Sequence, residues 1–303
     1  MRYTKPALSF EQQAQRLLDR GLIGVDKDTL IRYLSMVNYY RLSAYWYPFK
    51  QVDPKTGSES FIAGTTFQSI WRRYVFDRQL RLLIMDAVEY VEVAILRTSM
   101  VERCTLLHGP FGYCDISTYC QGFVQSEFDQ LMQDVDNAAR RSKEEFVKRF
   151  RTKYISEPYL PLWMAVEVMT FGQLLTLFRH LNLSEQKQVA RVYNLHPPVL
   201  ISWLKTLNYV RNVCAHHGRL WNRELPIRPA IPDKKHCPQF HTPQPVDNHR
   251  VYAVLTLLCY LLRAIDWQSD WPIRLEYLLL AYPDIPLKLM GFPVDWKNCP
   301  IWK

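Results

Sequence analysis

Through most of the chain, apolar residues recur at three- and four-residue steps, the period of helices that turn one face inward. No stretch alternates apolar and polar residues as a half-buried strand would, and glycine is scarce, so the pattern predicts an all-α protein. Ser9, followed three residues later by Gln12, predicts a capped helix start, and Gly21 a stop. Further helices are predicted over about 27–36, 39–47, 67–104, 126–154, 160–171, 172–181, 184–193, 197–219, 247–266 and 271–281. The segment 51–64, QVDPKTGSESFIAG, has the Gly, Ser, Thr and charge content of a connecting loop. The expected organisation is therefore a small N-terminal helical subdomain (1–50), a linker (51–64), a main helical bundle with extra C-terminal helices (65–281) and a Pro/Trp-rich tail (282–303) packed on its surface.

The 303 residues, 48% hydrophobic and 14% aromatic, suffice for a substantial core. The 38 Lys and Arg against 29 Asp and Glu leave a net charge of +9, which attracts nucleic acid or another polyanion. The opening residues lack an apolar stretch like that of a signal peptide, and Val251–Leu262 is far shorter than a bilayer span. A cytoplasmic protein with no membrane partner is expected. Its seven cysteines form no C-x-x-C pair, which favours reduced thiols over disulfides.

Candidate chemistry concentrates between Arg211 and Arg223, where three arginines, two asparagines and two histidines follow an apolar helical run. Arginine holds phosphate through a planar fork of donors, and histidine exchanges protons near neutral pH. On a helix from Pro197, positions Leu200, Trp203, Leu204, Leu207, Val210 and Cys214 face inward, and the same stripe extends to His217 and Trp221. Lys205, Asn208, Asn212, His216, Arg219 and Arg223 share the opposite face. Arg211 lies about 100° from Asn212 and about 140° from His216 around an ideal helix, so a second copy of the helix would bring the groups together more readily. A solvated polar face is the competing reading.

The motif Arg211-Asn212, His216-His217, Arg219 and Trp221-Asn222-Arg223 resembles the R-x4-6-H signature of the HEPN superfamily, in the form found in bacterial Abi (abortive infection, AbiD/AbiF-like) proteins. The blocks YLSMVNYYRLSAYWYPF, FDRQLRLLIMDAVEYVEVAILRT and PLWMAVEVMTFGQL resemble successive blocks of that family, in the same order. The resemblance implies a HEPN-like helical bundle and, in many relatives, a metal-independent endoribonuclease that works as a homodimer. It carries the catalytic roles to Arg211, Asn212 and His216. Spacing also admits His217, and the facial argument favours His216. Gly218 occupies the position of a tyrosine that other HEPN proteins modify.

On that footing His216 is expected to act as general base on an RNA 2′-hydroxyl while Arg211 neutralises charge on the phosphoryl oxygens. Arg219, Arg223 and Lys205 are candidate RNA contacts. So are Arg140, Arg141, Lys148, Arg149 and Arg151 of a strongly basic stretch, with Phe150 and Tyr154 available for stacking. Glu92, with Glu89 beside it, is a candidate support for Arg211, against a plain structural ion pair; His217 is the second supporting candidate. Arg103 and His108 repeat the R-x4-H spacing at a helix end. His236, Cys237 and His241 have poor zinc spacing, and no metal or other cofactor is expected. The aromatic run Tyr39, Tyr40, Tyr45, Trp46 and Tyr47 is expected to be core rather than a base-stacking platform. The expected partners are RNA, as substrate and as a cognate noncoding RNA that restrains the enzyme, and a second copy of the chain. A non-catalytic module that holds a structured RNA is the alternative, and a helical scaffold for a protein partner would leave the polar stripe unexplained.

Overall fold

The computed structural model describes residue 2 and residues 6–303, which form two compact units. The first runs to Leu80 and takes in Tyr277–Ile285; the second comprises Arg81–Glu276 and Pro286–Lys303. Both are built from helices, as the apolar period predicts.

In the first unit, α1 (Phe10–Asp19), α2 (Lys27–Met36) and α3 (Tyr39–Trp46) precede a hairpin of β1 (Lys50–Val52) and β2 (Glu59–Phe61), after which α4 (Phe67–Val91) begins. Ser9 and Gln12 form the expected capping box on α1. The hairpin departs from the expected loop: Lys50 pairs with Phe61, Gln51 with Ser60 and Val52 with Glu59, antiparallel. Three-residue strands with one mostly exposed face are too short to show an alternating pattern. Their anchor is Glu59, which pairs with Arg20 and Lys50 and is held below the ordinary carboxylate range, chiefly by the Lys50 hydrogen bond. Tyr45 and Trp46 are buried as expected, whereas Tyr40 and Tyr47 face solvent. The Tyr45 hydroxyl donates at 2.6 Å to Asp77, a fully buried carboxylate.

The second unit starts within α4, which passes into a π segment (Glu92–Ser99) and then α5 (Met100–His108). It continues through α6 (Gln125–Arg141), α7 (Glu145–Lys153), α8 (Leu162–Val168), α9 (Phe171–His180), α10 (Leu183–Val192), α11 (Pro197–Ala215), α12 (Val251–Ile265) and the start of α13 (Trp271–Ala281). The single helix expected over 126–154 is two. Ser142 leaves the helix in an extended conformation, and its hydroxyl accepts from the Glu144 amide, a local alternative to the helical bond. α11 packs against α9, α10 and α12 through Leu200, Trp203, Leu204, Leu207 and Val210, all fully buried. The tail turns in short 3-10 steps, and Ile301 is buried beside Cys259, whose thiol donates to the Ile301 carbonyl. Among the described residues, no helix is long and apolar enough to cross a membrane.

The π segment has a local cause. Its wider turn brings residues five apart onto one face, and there Arg97 pairs with Glu92. The same guanidinium donates to the carbonyls of Val166 and Met169 at the end of α8, where Val166 O also accepts from the Met169 amide. One cation thus neutralises a largely buried carboxylate and caps a helix. Arg97→Ala would leave Glu92 charged and enclosed, and a loss of about 3 kcal/mol is expected in urea unfolding; an unchanged midpoint would contradict this account.

All seven cysteines are free, matching the expectation of reduced thiols. Burial pushes Cys104 and Cys114 up to about 12 and Cys259 up to about 11. Because the thiolate is the reactive form, a thiol reagent at pH 8 should label half-buried Cys120 first. Labelling sites mapped by mass spectrometry before and after denaturation test this, and rapid native labelling of Cys259 would be inconsistent with the packing.

Candidate functional site

The conformation of the Arg211–Arg223 segment is set by how α11 ends. The Gly218 amide donates to Val213 O at 2.8 Å and the His217 amide to Cys214 O at 3.0 Å, the pair of bonds that closes a Schellman motif. That motif requires a left-handed residue, and here it is His217, at φ 57°. Two other helices of the chain close in the same way, with more accommodating residues at this position. α1 uses Gly21 (φ 91°) and α10 uses Asn194 (φ 50°).

Gly218 follows one residue later and serves a different purpose. A side chain there would meet Val213 Cγ1 at 3.1 Å and Val213 O at 3.2 Å, so glycine lets the chain fold back tightly under the helix end. The Gly218 carbonyl also lies 3.4 Å from Arg81 Nη1. Beyond the turn, Leu220 and Trp221 enter the core and are fully buried. Arg223 donates back to Arg219 O at 2.8 Å and to the Tyr209 hydroxyl at 3.1 Å, and Arg250 holds the Asn222 carbonyl at 2.9 Å.

These anchors leave a rim at the end of α11. Asn212, His216 and His217 are exposed, while Arg211 and Arg219 are half-buried. Arg211 Nη1 lies 3.4 Å from Asn212 Oδ1, so the amide braces the guanidinium. A guanidinium, an amide and two imidazoles thereby reach solvent within seven consecutive residues. That set can bind an oxyanion, orient it and exchange protons with it.

Several expectations need correction. α11 stops at Ala215 rather than continuing to Arg219, so the ideal-helix faces do not extend beyond His216, and His217 is exposed rather than packed inward. Glu92 makes the plain structural ion pair of the competing reading, with Arg97 and not with Arg211; Glu89, nearby on the same helix, is exposed. Arg223 fastens the loop to α11 instead of projecting as an RNA contact. In the basic stretch, Asp136 takes Arg140 and Arg151, and Glu145 takes Arg149, which leaves Arg141, Lys143, Lys148 and Lys153 exposed without an ion pair among the described residues. Phe150 is buried and cannot stack on a base, whereas Tyr154 is exposed beneath Lys153. Lys205 is exposed on α11. His108 pairs at 2.8 Å with the buried Glu185 at the end of α5, a structural bond that accounts for the second R-x4-H spacing.

Sequence reasoning missed Arg81 and Tyr209 as supports, and no local signal marks them, because each acts on a loop distant in sequence. It also missed the left-handed His217, although the triplet His-His-Gly carried a hint. A glycine just past a helix ordinarily takes the left-handed place, and here it sits one position too late.

A sequence model of the family described as Abi-like protein matches residues 32–222, which include the hairpin, the long helix and all of α11 with its rim. No curated protein and no solved structure matches the chain.

The strained turn makes a separable prediction. His217→Gly should raise stability by about 1 kcal/mol or less by relieving the left-handed conformation, while His217→Ala, with the same strain, should not. Urea midpoints of the two variants measure this; equal midpoints would show that the turn stores no strain.

Proposed function

The chain belongs to the Abi-like protein family, and from that premise we propose that it is an endoribonuclease of HEPN type, acting in the cytoplasm. Family membership itself suggests a role in abortive-infection defence. The finer reading rests on one observation: Arg211, Asn212, His216 and His217 reach solvent together at the end of a helix whose apolar face is buried. The surplus of basic residues favours a polyanionic substrate.

In the proposed reaction, His216 removes the proton from an RNA 2′-hydroxyl. The 2′-oxygen attacks the adjacent phosphorus, the bond to the 5′-oxygen breaks, and that oxygen leaves with a proton supplied by a second histidine. His217 or a histidine of a second copy of the chain fills this role. Arg211 neutralises the charge that gathers on the phosphoryl oxygens, and Asn212 holds the guanidinium in place. The products are a 2′,3′-cyclic phosphate and a 5′-hydroxyl. DNA has no 2′-hydroxyl and is not a substrate. Only protein groups take part in the reaction as written. The exposure of the rim lets a homodimer pair two such ends across one RNA strand, and it lets a cognate noncoding RNA cover them until the enzyme is needed.

Inducing the wild-type protein is expected to arrest growth and to leave RNA fragments with 2′,3′-cyclic phosphate ends. Arg211→Ala and His216→Ala should each lower cleavage by roughly a hundredfold or more without changing the urea midpoint. Cleavage that survives both substitutions would refute the assignment. RNA binding without cleavage by the wild type would instead identify a module that holds RNA.

A further inference from the structure

At the opposite end of α11 the structure brings together side chains of the kinds that ligate metal ions. His196 is the residue just before the helix, and its side chain makes no capping bond. Asp233 and His236 lie in the proline-rich segment that returns past it, and one donor atom from each of the three residues falls within 4.8 Å of the others. The imidazoles of His196 and His236 meet edge to face at 4.7 Å, and His236 Nδ1 lies 2.8 Å from Asp233 Oδ2. All three side chains are exposed, so an ion and its waters have access.

The backbone positions each ligand independently of any ion. Asp233 accepts from the amides of Lys235 and His236, which closes the turn that presents His236. Cys237, the next residue, is buried with its thiol directed to the Asn194 carbonyl, and this ties the segment to the turn between α10 and α11. The sequence spacing had grouped His236 with Cys237 and His241. The structure separates them: Cys237 faces inward, and His241 Nε2 lies 2.7 Å from the Pro232 carbonyl. His236 is joined instead by a histidine forty residues earlier.

We propose that His196, Asp233 and His236 bind a divalent cation of the zinc class. Two imidazoles and a carboxylate are the donor set of three-ligand zinc sites, with water completing the tetrahedron. Tetrahedral coordination requires small side-chain rotations that bring the donors closer than they stand without the ion. Bound there, the ion clasps the proline-rich segment to the start of α11. Along the helix axis it lies about 22 Å from Arg211 and about 30 Å from His216, so its role is structural and not catalytic. By closing the long loop between residues 196 and 236, which contains α11 and its rim, it stabilises the fold.

Titration of the full-length protein with Co²⁺, followed by visible absorption, and with Zn²⁺, followed by calorimetry, tests the site. The expected result is one ion per chain, tetrahedral cobalt bands without a thiolate charge-transfer band, and a higher melting midpoint in Zn²⁺. His196→Gln, His236→Gln and Asp233→Asn should each weaken binding by about tenfold or more, since each removes one of three protein ligands. Asparagine can still accept the turn's amide bonds, so its circular dichroism should match the wild type. Absence of binding, binding that all three variants retain, or a thiolate band assigning the metal to cysteine would overturn the proposal.

Discussion

The left-handed turn at His217 is the constraint on which the candidate chemistry depends. If α11 continued for another turn, His217 and Trp221 would extend its buried stripe and His216 would be one more residue of a long polar face. Ending the helix at Ala215 sends Leu220 and Trp221 into the core by a different path and leaves both histidines at the surface. The Schellman bonds of Gly218 and His217 fix the turn, and the close packing of Gly218 on Val213 would crowd any side chain there. The Arg223 clip to Arg219 and Tyr209 then prevents the loop from relaxing. Loss of a side chain at the rim need not disturb this arrangement, because most of the bonds that build it are made by backbone groups.

A second constraint acts at the π segment. A largely buried carboxylate is costly unless paired, and Glu92 is paired by an arginine that also satisfies two carbonyls of a neighbouring element. α8 and α9 are thereby held to the long helix, and α9 is a neighbour of α11. Its capping box, made by Thr170 and Gln173, begins one residue after the carbonyl of Met169 that Arg97 holds. The polar network therefore helps position the apolar wall on which the candidate helix rests. An apolar pair at 92 and 97 would fill the space but take the guanidinium from the Met169 carbonyl, while Val166 O would keep the Met169 amide.

Much of the fold was legible because helical period and caps are local. The bounds of α2 and α13 follow directly from the apolar pattern, and the Ser9 capping box from two residues. What escaped was non-local or too short for a pattern. The hairpin depends on Glu59 drawing in Arg20 and Lys50, and the break at Ser142 on a single hydroxyl. For the candidate site, the residues were evident from their chemistry, but their directions were not. An ideal helix carried past its true end put His217 inside. Of the two readings of Glu92 the structural ion pair holds, but its partner was not evident because five-residue spacing is not a contact on an α-helix, and only the π turn makes it one.

The charge balance also reads differently once partners are known. The net charge of +9 suggests a broad basic surface, with the stretch from Arg140 to Lys153 as its densest part. Yet Arg140 and Arg151 share the single carboxylate of Asp136, Arg149 pairs with Glu145, and Arg223 is committed to the loop. Local pairing removes much of the field that those residues would exert on a distant phosphate, since an opposite charge a few ångströms away cancels it beyond a Debye length. Arg141, Lys143, Lys148 and Lys153 make no ion pair among the described residues, and neither do Lys205 and Arg211 on α11, where Arg211 is braced by an uncharged amide. An amide fixes a guanidinium without neutralising it. Both basic regions visible in the sequence therefore keep cations that can meet a phosphate, and what sets the sparser one apart is that it also presents histidine.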